Sequence, residues 1–299
     1  MSVNEIEISI ALIRDKSKYI CLQRNKTPYK GYIEFPGGKC KKSETPELCL
    51  EREIFEELGI KVKKYIYLGS IKHLYDNLLI KINIFKIFRF NGTIYSKENQ
   101  KIIKYSEDQS IDTLPTHRRI FRLLNLPRTL KILTVDDFEK DQYVNYSRYG
   151  AIRLRRINYK YYSKNIKNIL ISQKYTGKVI IDYQYSDEWL DSYQGIHYSS
   201  NQIGMLEKNK YALSIIHSAS CHTMDDIKSC NKMLYDFILI SPVKKTYSRY
   251  KPINWSGFSA LSKESYLPTY ALGGISSKGQ DYNLALENYG FGIAGISMF

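Results

Sequence analysis

Between residues 131 and 297 short apolar runs return repeatedly: KILTV at 131–135, AIRLR at 151–155, KVIID at 178–182, GIHYS at 195–199, ALSIIHS at 212–218, DFILIS at 236–241, TYALGGI at 269–275 and FGIAGIS at 291–297. Several are apolar throughout, the pattern of strands covered on both faces. Helical or loop stretches stand between them, as crossovers between parallel strands require. Eight such units predict a (βα)8 barrel of the TIM type over 130–299. The stretch is short for that fold, and the eighth run falls at the end of the sequence, so the barrel is expected to lack its last helix.

The first 125 residues read differently. Apolar runs at Glu7–Ile13 and Tyr19–Leu22 flank the polar turn RDKSK, which predicts a hairpin. PYKGYIEFPGGK is a loop punctuated by Pro and Gly. A helix follows from Ser43 or Thr45, with Thr45 as N-cap, Pro46 at the first helical position, Glu47 in the first turn and Gly59 as the left-handed cap. Strands are expected at 63–69, 79–90 and 93–95 and a helix at 116–125, and NLPRT at 125–129 reads as a linker. The fold class is therefore α/β in two domains, 1–125 and 130–299.

A chain of 299 residues with 45 Lys and Arg against 30 Asp and Glu carries a net charge of +15. Such an excess can serve a polyanion, but the basic residues are spread along the chain and RLRRINYKYYSK from Arg153 is their one local cluster. Abundant Ile, Lys, Asn and Tyr (27 Tyr) matches AT-rich codon usage, so nucleic acid is not expected as a partner. Cys21, Cys40, Cys49, Cys221 and Cys230 are odd in number and show no C-x-x-C spacing, which favours a reducing compartment. The start MSVNEIEISIALIRD is acidic where a signal peptide is basic, and no apolar run reaches the roughly twenty residues of a membrane span. A cytoplasmic protein with no membrane partner is expected.

The segment from Gly37 to Ile60 gathers acid within this basic chain. At 100° per residue Glu53, Glu56 and Glu57 fall within about a 100° arc of the helix, apart from the apolar arc of Leu48, Leu50, Ile54, Phe55 and Leu58. Adjacent carboxylates repel one another. A hard divalent cation removes that cost, and an all-oxygen set favours Mg²⁺ or Mn²⁺ over zinc. Mg²⁺ bridges to phosphates, so the expected substrate is phosphorylated.

Gly38, Glu44 and the run Arg52-Glu53-Ile54-Phe55-Glu56-Glu57-Leu58-Gly59-Ile60 resemble the Nudix box at every position. The resemblance implies an α/β/α sandwich with a mixed sheet and Mg²⁺-dependent hydrolysis of a diphosphate bond. Glu53, Glu56 and Glu57 would be metal ligands with the Gly38 carbonyl, and Arg52 and Glu44 an orienting pair. LQRN, EFPGGK and KENQ further resemble the MutT type, which releases pyrophosphate from oxidised nucleoside triphosphates. By that likeness Arg24 contacts phosphate, Phe35 lines the base pocket, and Glu98 is a metal ligand or general base. Where this type carries a purine-reading Asn, the stretch LPTHRRI places Thr116, His117 and Arg118. That departure leaves Arg118 as a candidate substrate contact, His117 as a surface residue at a helix start, and the exact base open.

GIHYS, HSASCHTMDD, DFILISPVKKT, ALGGI and GIAGIS resemble the strand-end motifs of thiamin phosphate synthases and thiazole tautomerases. The likeness implies a phosphate or ligand site at Gly273, Gly274 and Ser297, with His222 as a candidate acid or base. Asp182-Tyr183 stands in place of the family's Asn-Asp, the later Asp is missing from HYSSNQI, Arg249 replaces a Lys and RLRRI is rearranged. The expectation is a barrel degenerate in catalysis that keeps phosphate binding. The alternative is a bifunctional or regulatory protein whose barrel binds or converts a thiazole or thiamin phosphate.

Overall fold

Apolar alternation builds β1 (Asn4–Asp15), and the chain returns as β2 (Lys18–Gln23) through a tight turn in which Lys16 takes a left-handed backbone, φ 55°. The computed structural model describes residues 4–75, 78–106, 112–134, 146, 149–155, 168, 170–187, 193–207, 210, 214–233, 235–247, 250–276 and 279–296. Two compact units divide the chain, residues 1–125 and 126–299.

In the first unit β3 (Ile33–Glu34) and β4 (Gly37–Lys39) follow the hairpin, α1 spans Pro46–Leu58, and β5 (Lys61–Tyr75) pairs with β6 (Leu78–Asn91). After β7 (Lys101–Tyr105) the unit closes with α2 (Pro115–Leu124). The sheet order is β3-β2-β1-β6-β5, with β4 on β1 and β7 on β2. It is mixed, because β1 and β6 run parallel while the other pairs are antiparallel. Ile20 and Leu22 pack with Leu50, Ile54 and Leu58 of α1, while Tyr19 meets Phe121 of α2 at 5.4 Å. Neighbouring side chains on a strand point to opposite faces, so the two helices cover opposite sides of the sheet. The arrangement is the expected α/β/α sandwich.

The expected strand at 93–95 is not formed. Past Gly92 (φ 104°) the chain leaves the sheet, and the amides of Tyr95 and Lys97 bond to the carbonyls of Leu58 and Glu57 at 3.2 and 2.9 Å. Those carbonyls are left over at the end of α1, so they draw the loop in. β7, formed by KIIKY, lies where no strand was expected.

The second unit is a closed barrel of eight strands in which β8 to β15 each run parallel to the next and β15 pairs back to β8. The strands are β8 (Thr129–Leu133), β9 (Ala151–Leu154), β10 (Lys178–Asp182), β11 (Gly195–Tyr198), β12 (Ile216–Cys221), β13 (Phe237–Ile240), β14 (Thr269–Leu272) and β15 (Gly292–Gly295). Helices α3 (Met224–Met233), α4 (Asn254–Glu264) and α5 (Asp281–Glu287) supply Ile227, Phe258 and Ala285 to the layer over the strands. Among the described residues no helix follows β15. The stretch expected as a linker is part of this unit: Tyr270 donates to the Pro127 carbonyl, and Arg128 donates to the Phe291 carbonyl at 3.0 Å while lying 3.8 Å from that ring's centroid. No described helix is long and apolar enough to cross a membrane.

Candidate functional site

Helix α1 forms where local chemistry predicts. The Thr45 side chain accepts from the Leu48 amide at 3.3 Å, Pro46 opens the helix, and Gly59 closes it at φ 69° with its amide bonded to the Phe55 carbonyl. Leu50, Ile54 and Leu58 are fully buried against the sheet. Leu48 and Phe55, expected on that apolar face, are 55% and 41% exposed; they lie at its margins, and Lys97 Nζ sits 4.3 Å from the Phe55 ring.

The other side of α1 is organised by Arg52. Its Nε donates to Glu44 Oε1 at 2.6 Å and its Nη2 to Glu44 Oε2 at 2.8 Å. Nη1 reaches Glu53 Oε1 at 2.6 Å and Glu56 Oε2 at 3.0 Å, and Nη2 also donates to the Lys39 carbonyl at 2.9 Å. One planar guanidinium thus holds three carboxylates and the loop beside them, which a lysine could not do. The Arg52 contact and the Lys41 amide hold the Glu44 carboxyl down to about 2, and the same carboxylates raise Arg52 further above its ordinary value.

Glu57 lies outside that clamp. It is 9% exposed, and Oε2 accepts from the Gly37 amide at 2.8 Å. Burial pushes its pKa up to about 8 against the pull of that amide, and the negative charges of Glu34, Glu53 and Glu98 add to the rise. Gly37 (φ 139°) lies so close to β1 that a Cβ there would strike the Ser9 carbonyl, and a Cβ on Gly38 would strike the Glu53 carboxylate. The carboxylates therefore rest directly on bare backbone.

Among the described residues no three His, Cys, Asp or Glu side chains stand close enough together to cage an ion. The reason is visible: Arg52 draws Glu53 and Glu56 onto itself while Glu57 turns to Gly37. The donor set still fits a hard dication. It is all oxygen, and Glu57 feels three neighbouring negative charges that a cation would relieve.

Glu98 is carried by the loop tied to the end of α1 and makes a loose 3.8 Å pair with Lys26. Arg24 donates to Glu34 at 2.9 Å and to the Pro28 carbonyl at 2.7 Å. Glu34 accepts from Gln100 at 3.4 Å, and burial raises its pKa. Sequence reasoning gave Glu34, Gln100 and the Gly37 amide no role, although each stands within or beside a quoted motif. Phe35 is 4% exposed and stacked on His117. His117, expected at the surface, is buried at 2% because that aromatic pair pulls it inward. Arg118 lies on α2, its side chain outside the described residues.

In the barrel, helix-facing strand residues alternate with a polar belt in the lumen. Arg153 bonds Asp182 through Nε at 2.9 Å and Nη2 at 2.8 Å, both side chains nearly buried. Beside it His197 meets Ser218 at 2.9 Å and Ser220 at 2.8 Å, and burial with the Arg153 and Arg155 charges keeps its pKa well below the ordinary value. His222 is stacked on Tyr250 at 3.9 Å, and its Nδ1 lies 2.7 Å from the Ser241 carbonyl. A carbonyl only accepts, so Nδ1 donates in this contact. Gly273 (φ 97°) and Gly274 (φ 65°) bring β14's exit against Pro242 and Lys244. The nearby Ser276 amide is occupied by Asp281, which also pairs with Lys244 at 2.7 Å. Ser297 and Arg249 lie outside the described residues.

The chain thus joins a mixed-sheet sandwich with carboxylates on bare backbone to a parallel eight-stranded barrel that follows it in sequence. The family described as NUDIX domain matches residues 4–104, and Thiamine monophosphate synthase matches residues 152–298. An 8-oxo-dGTP diphosphatase of Buchnera aphidicola subsp. Schizaphis graminum is 41% identical over 92 residues, covering 30% of this chain and 69% of the relative. One of Proteus vulgaris is 30% identical over 100 residues, 33% of this chain and 89% of the relative. A thiamine phosphate pyrophosphorylase structure from Pyrococcus furiosus aligns at TM-score 0.45 and 17% identity, over 57% of this chain and 86% of that one. The chain belongs to the Nudix family, as a hydrolase of diphosphate bonds with a thiamine-phosphate-synthase-like C-terminal domain.

Proposed function

We propose that the first unit hydrolyses a nucleoside triphosphate to the monophosphate and pyrophosphate, with 8-oxo-dGTP as the substrate its relatives indicate. The observation that carries this is the packing of two carboxylates on the Gly37-Gly38 turn, with Glu57 buried and accepting from the Gly37 amide and Glu53 lying against Gly38. Glu53, Glu56, Glu57, the Gly38 carbonyl and Glu98 would hold Mg²⁺, with Mn²⁺ as the alternative ion. When bound, the ion neutralises phosphate charge and favours ionisation of water. Arg52 and Glu44 position the carboxylates, while Arg24 and Arg118 contact the substrate. Where Glu98 is not a ligand of the ion, it accepts the proton of the attacking water as the water oxygen bonds to phosphorus and the bridging P–O bond breaks.

The test is a panel of oxidised and unoxidised nucleoside triphosphates beside thiamin diphosphate, read for pyrophosphate and orthophosphate. Turnover of triphosphates to pyrophosphate, lost in folded Glu57→Gln, is expected; unchanged turnover in that variant sinks the proposal.

The barrel is proposed to bind a thiamin-pathway phosphate near Gly273, Gly274 and Ser297 without synthase chemistry, since Arg153 already engages Asp182. A second reading, in which it converts such a ligand, is favoured by the place of His222 directly after β12, held by the Ser241 carbonyl and the Tyr250 ring. Calorimetry with thiazole phosphate and thiamin phosphate tests binding, and product formation lost in His222→Gln would select the second reading.

A further inference from the structure

His117 is 2% exposed, yet neither of its ring nitrogens has a hydrogen-bond partner among the described residues. Orphans of this kind are rare in folded proteins because each forfeits its bonds to water. The ring lies flat on Phe35, with centroids 4.2 Å apart and planes 2° from parallel. Tyr105 and Phe121 stand at 6.0 and 6.1 Å, and Tyr19 meets Phe35 at 6.0 Å. Burial in this aromatic cage keeps the imidazole neutral, its pKa pushed down to about 4. The cage adjoins the carboxylate site, because Phe35 leads into the Pro36-Gly37-Gly38 turn. Leu114, at the start of α2, is bonded to Ile33 of β3 at 3.2 Å.

An imidazole in stacking contact with Phe35 occupies the volume that a base would need to stack on the same face. Its unpaired nitrogens make it an occupant with something to gain by leaving. We propose that His117 is a displaceable plug in the base slot and sets the base selectivity of this hydrolase, the incoming base replacing it on Phe35 and receiving at most one hydrogen bond from it. This rests on the triphosphate hydrolysis proposed above. A neutral imidazole carries its donor and its acceptor on opposite sides of the ring. It cannot offer a purine edge the adjacent pair that a carboxamide offers. The rest of the cage is aromatic, and slots without paired polar contacts discriminate weakly. Oxidised and unoxidised purine triphosphates are therefore turned over with similar efficiency.

The experiment measures kcat and KM for 8-oxo-dGTP and dGTP, and the binding of dGMP by calorimetry, with the full chain and Mg²⁺. It compares wild type with His117→Ala and His117→Phe, each confirmed folded by circular dichroism. The wild-type ratio of kcat/KM for the two substrates should be below about 10. His117→Ala opens the slot and should lower KM and the dGMP dissociation constant by about tenfold. His117→Phe keeps the stacking but removes the nitrogens, so the plug stays in place and both constants should rise by about tenfold. A purely structural histidine would leave the Phe variant's constants at wild-type values. A wild-type ratio in the hundreds, or equal dGMP binding by the two variants, overturns the plug. If no triphosphate is turned over while the variants still differ in dGMP binding as stated, the plug stands and the hydrolysis proposal falls.

Discussion

Glu57 allows the sharpest test of the site's electrostatics. Its pKa rises from the ordinary 4.5 to about 8 on folding, chiefly through burial. Between those values the folded chain binds a proton that the unfolded chain has released, so stability is greatest below pH 4.5 and falls as pH climbs through 8. At 1.36 kcal/mol per pH unit the full cost of the ionised carboxylate is of the order of 5 kcal/mol, an upper bound given relaxation around the group. A dication takes the proton's place, so the stabilisation it gives must grow over the same range. Thermal unfolding of the full chain, with Mg²⁺ and with chelator, at pH 5 and pH 8.5 reads this directly. The Mg²⁺-induced rise in the transition of the first unit should be several degrees larger at pH 8.5, each kcal/mol giving about 4 °C in a unit of this size. In Glu57→Gln the metal-free unit should no longer lose stability over that range, although hydrolysis is lost. Equal Mg²⁺ shifts at both pH values would refute the reasoning, because Glu57 would then be ionised throughout.

Arg52→Lys replaces the fork by a point charge and should reduce kcat/KM by about 10- to 100-fold through loosened carboxylates, seen as a raised Mg²⁺ requirement in initial rates. Gly37→Ala forces a Cβ onto the Ser9 carbonyl at φ 139° and should destabilise the first unit by at least about 2 kcal/mol in urea unfolding. Arg153→Met strands Asp182 in the lumen and should cost the barrel about 3–5 kcal/mol, whereas Arg153→Met with Asp182→Leu should recover most of it, as separate denaturant melts would show.

Features encoded within a few residues were legible before the fold was known. Helix α1 begins and ends at Thr45 and Gly59 because capping is a bargain between near neighbours, whereas the Arg52–Glu44 pair was implied by the resemblance to the Nudix box. The barrel's strands were visible because runs such as FILI are buried on both faces. Their ends were overestimated where Ser241 or Gly273-Gly274 already turn into the loops that follow the strands. What escaped depends on distant segments meeting. β7 forms because KIIKY finds β2, and Glu34 gains a raised carboxyl pKa only because the folded chain buries it, against the pull of Arg24 and Gln100. His117 shows the same limit: a polar residue at a helix start suggests solvent until Phe35 supplies a ring to lie on.

Arginine meets acid in both units, with opposite chemical consequences. Arg52 grips Glu44, Glu53 and Glu56, whose side chains are 15%, 16% and 46% exposed, so water can re-solvate each carboxylate as it lets go. An entering cation therefore competes with a partly screened ion pair. Arg153 and Asp182 retain only 8% and 11% exposure, and separating them would leave a guanidinium charge desolvated in the lumen. A cation offered to Asp182 must overcome that penalty before it gains a ligand. Under the function proposed above, the ion-pair geometry favours the carboxylates of the Nudix unit over Asp182 as ligands of a dication. Whatever ligand the barrel takes should then bind equally well with and without Mg²⁺.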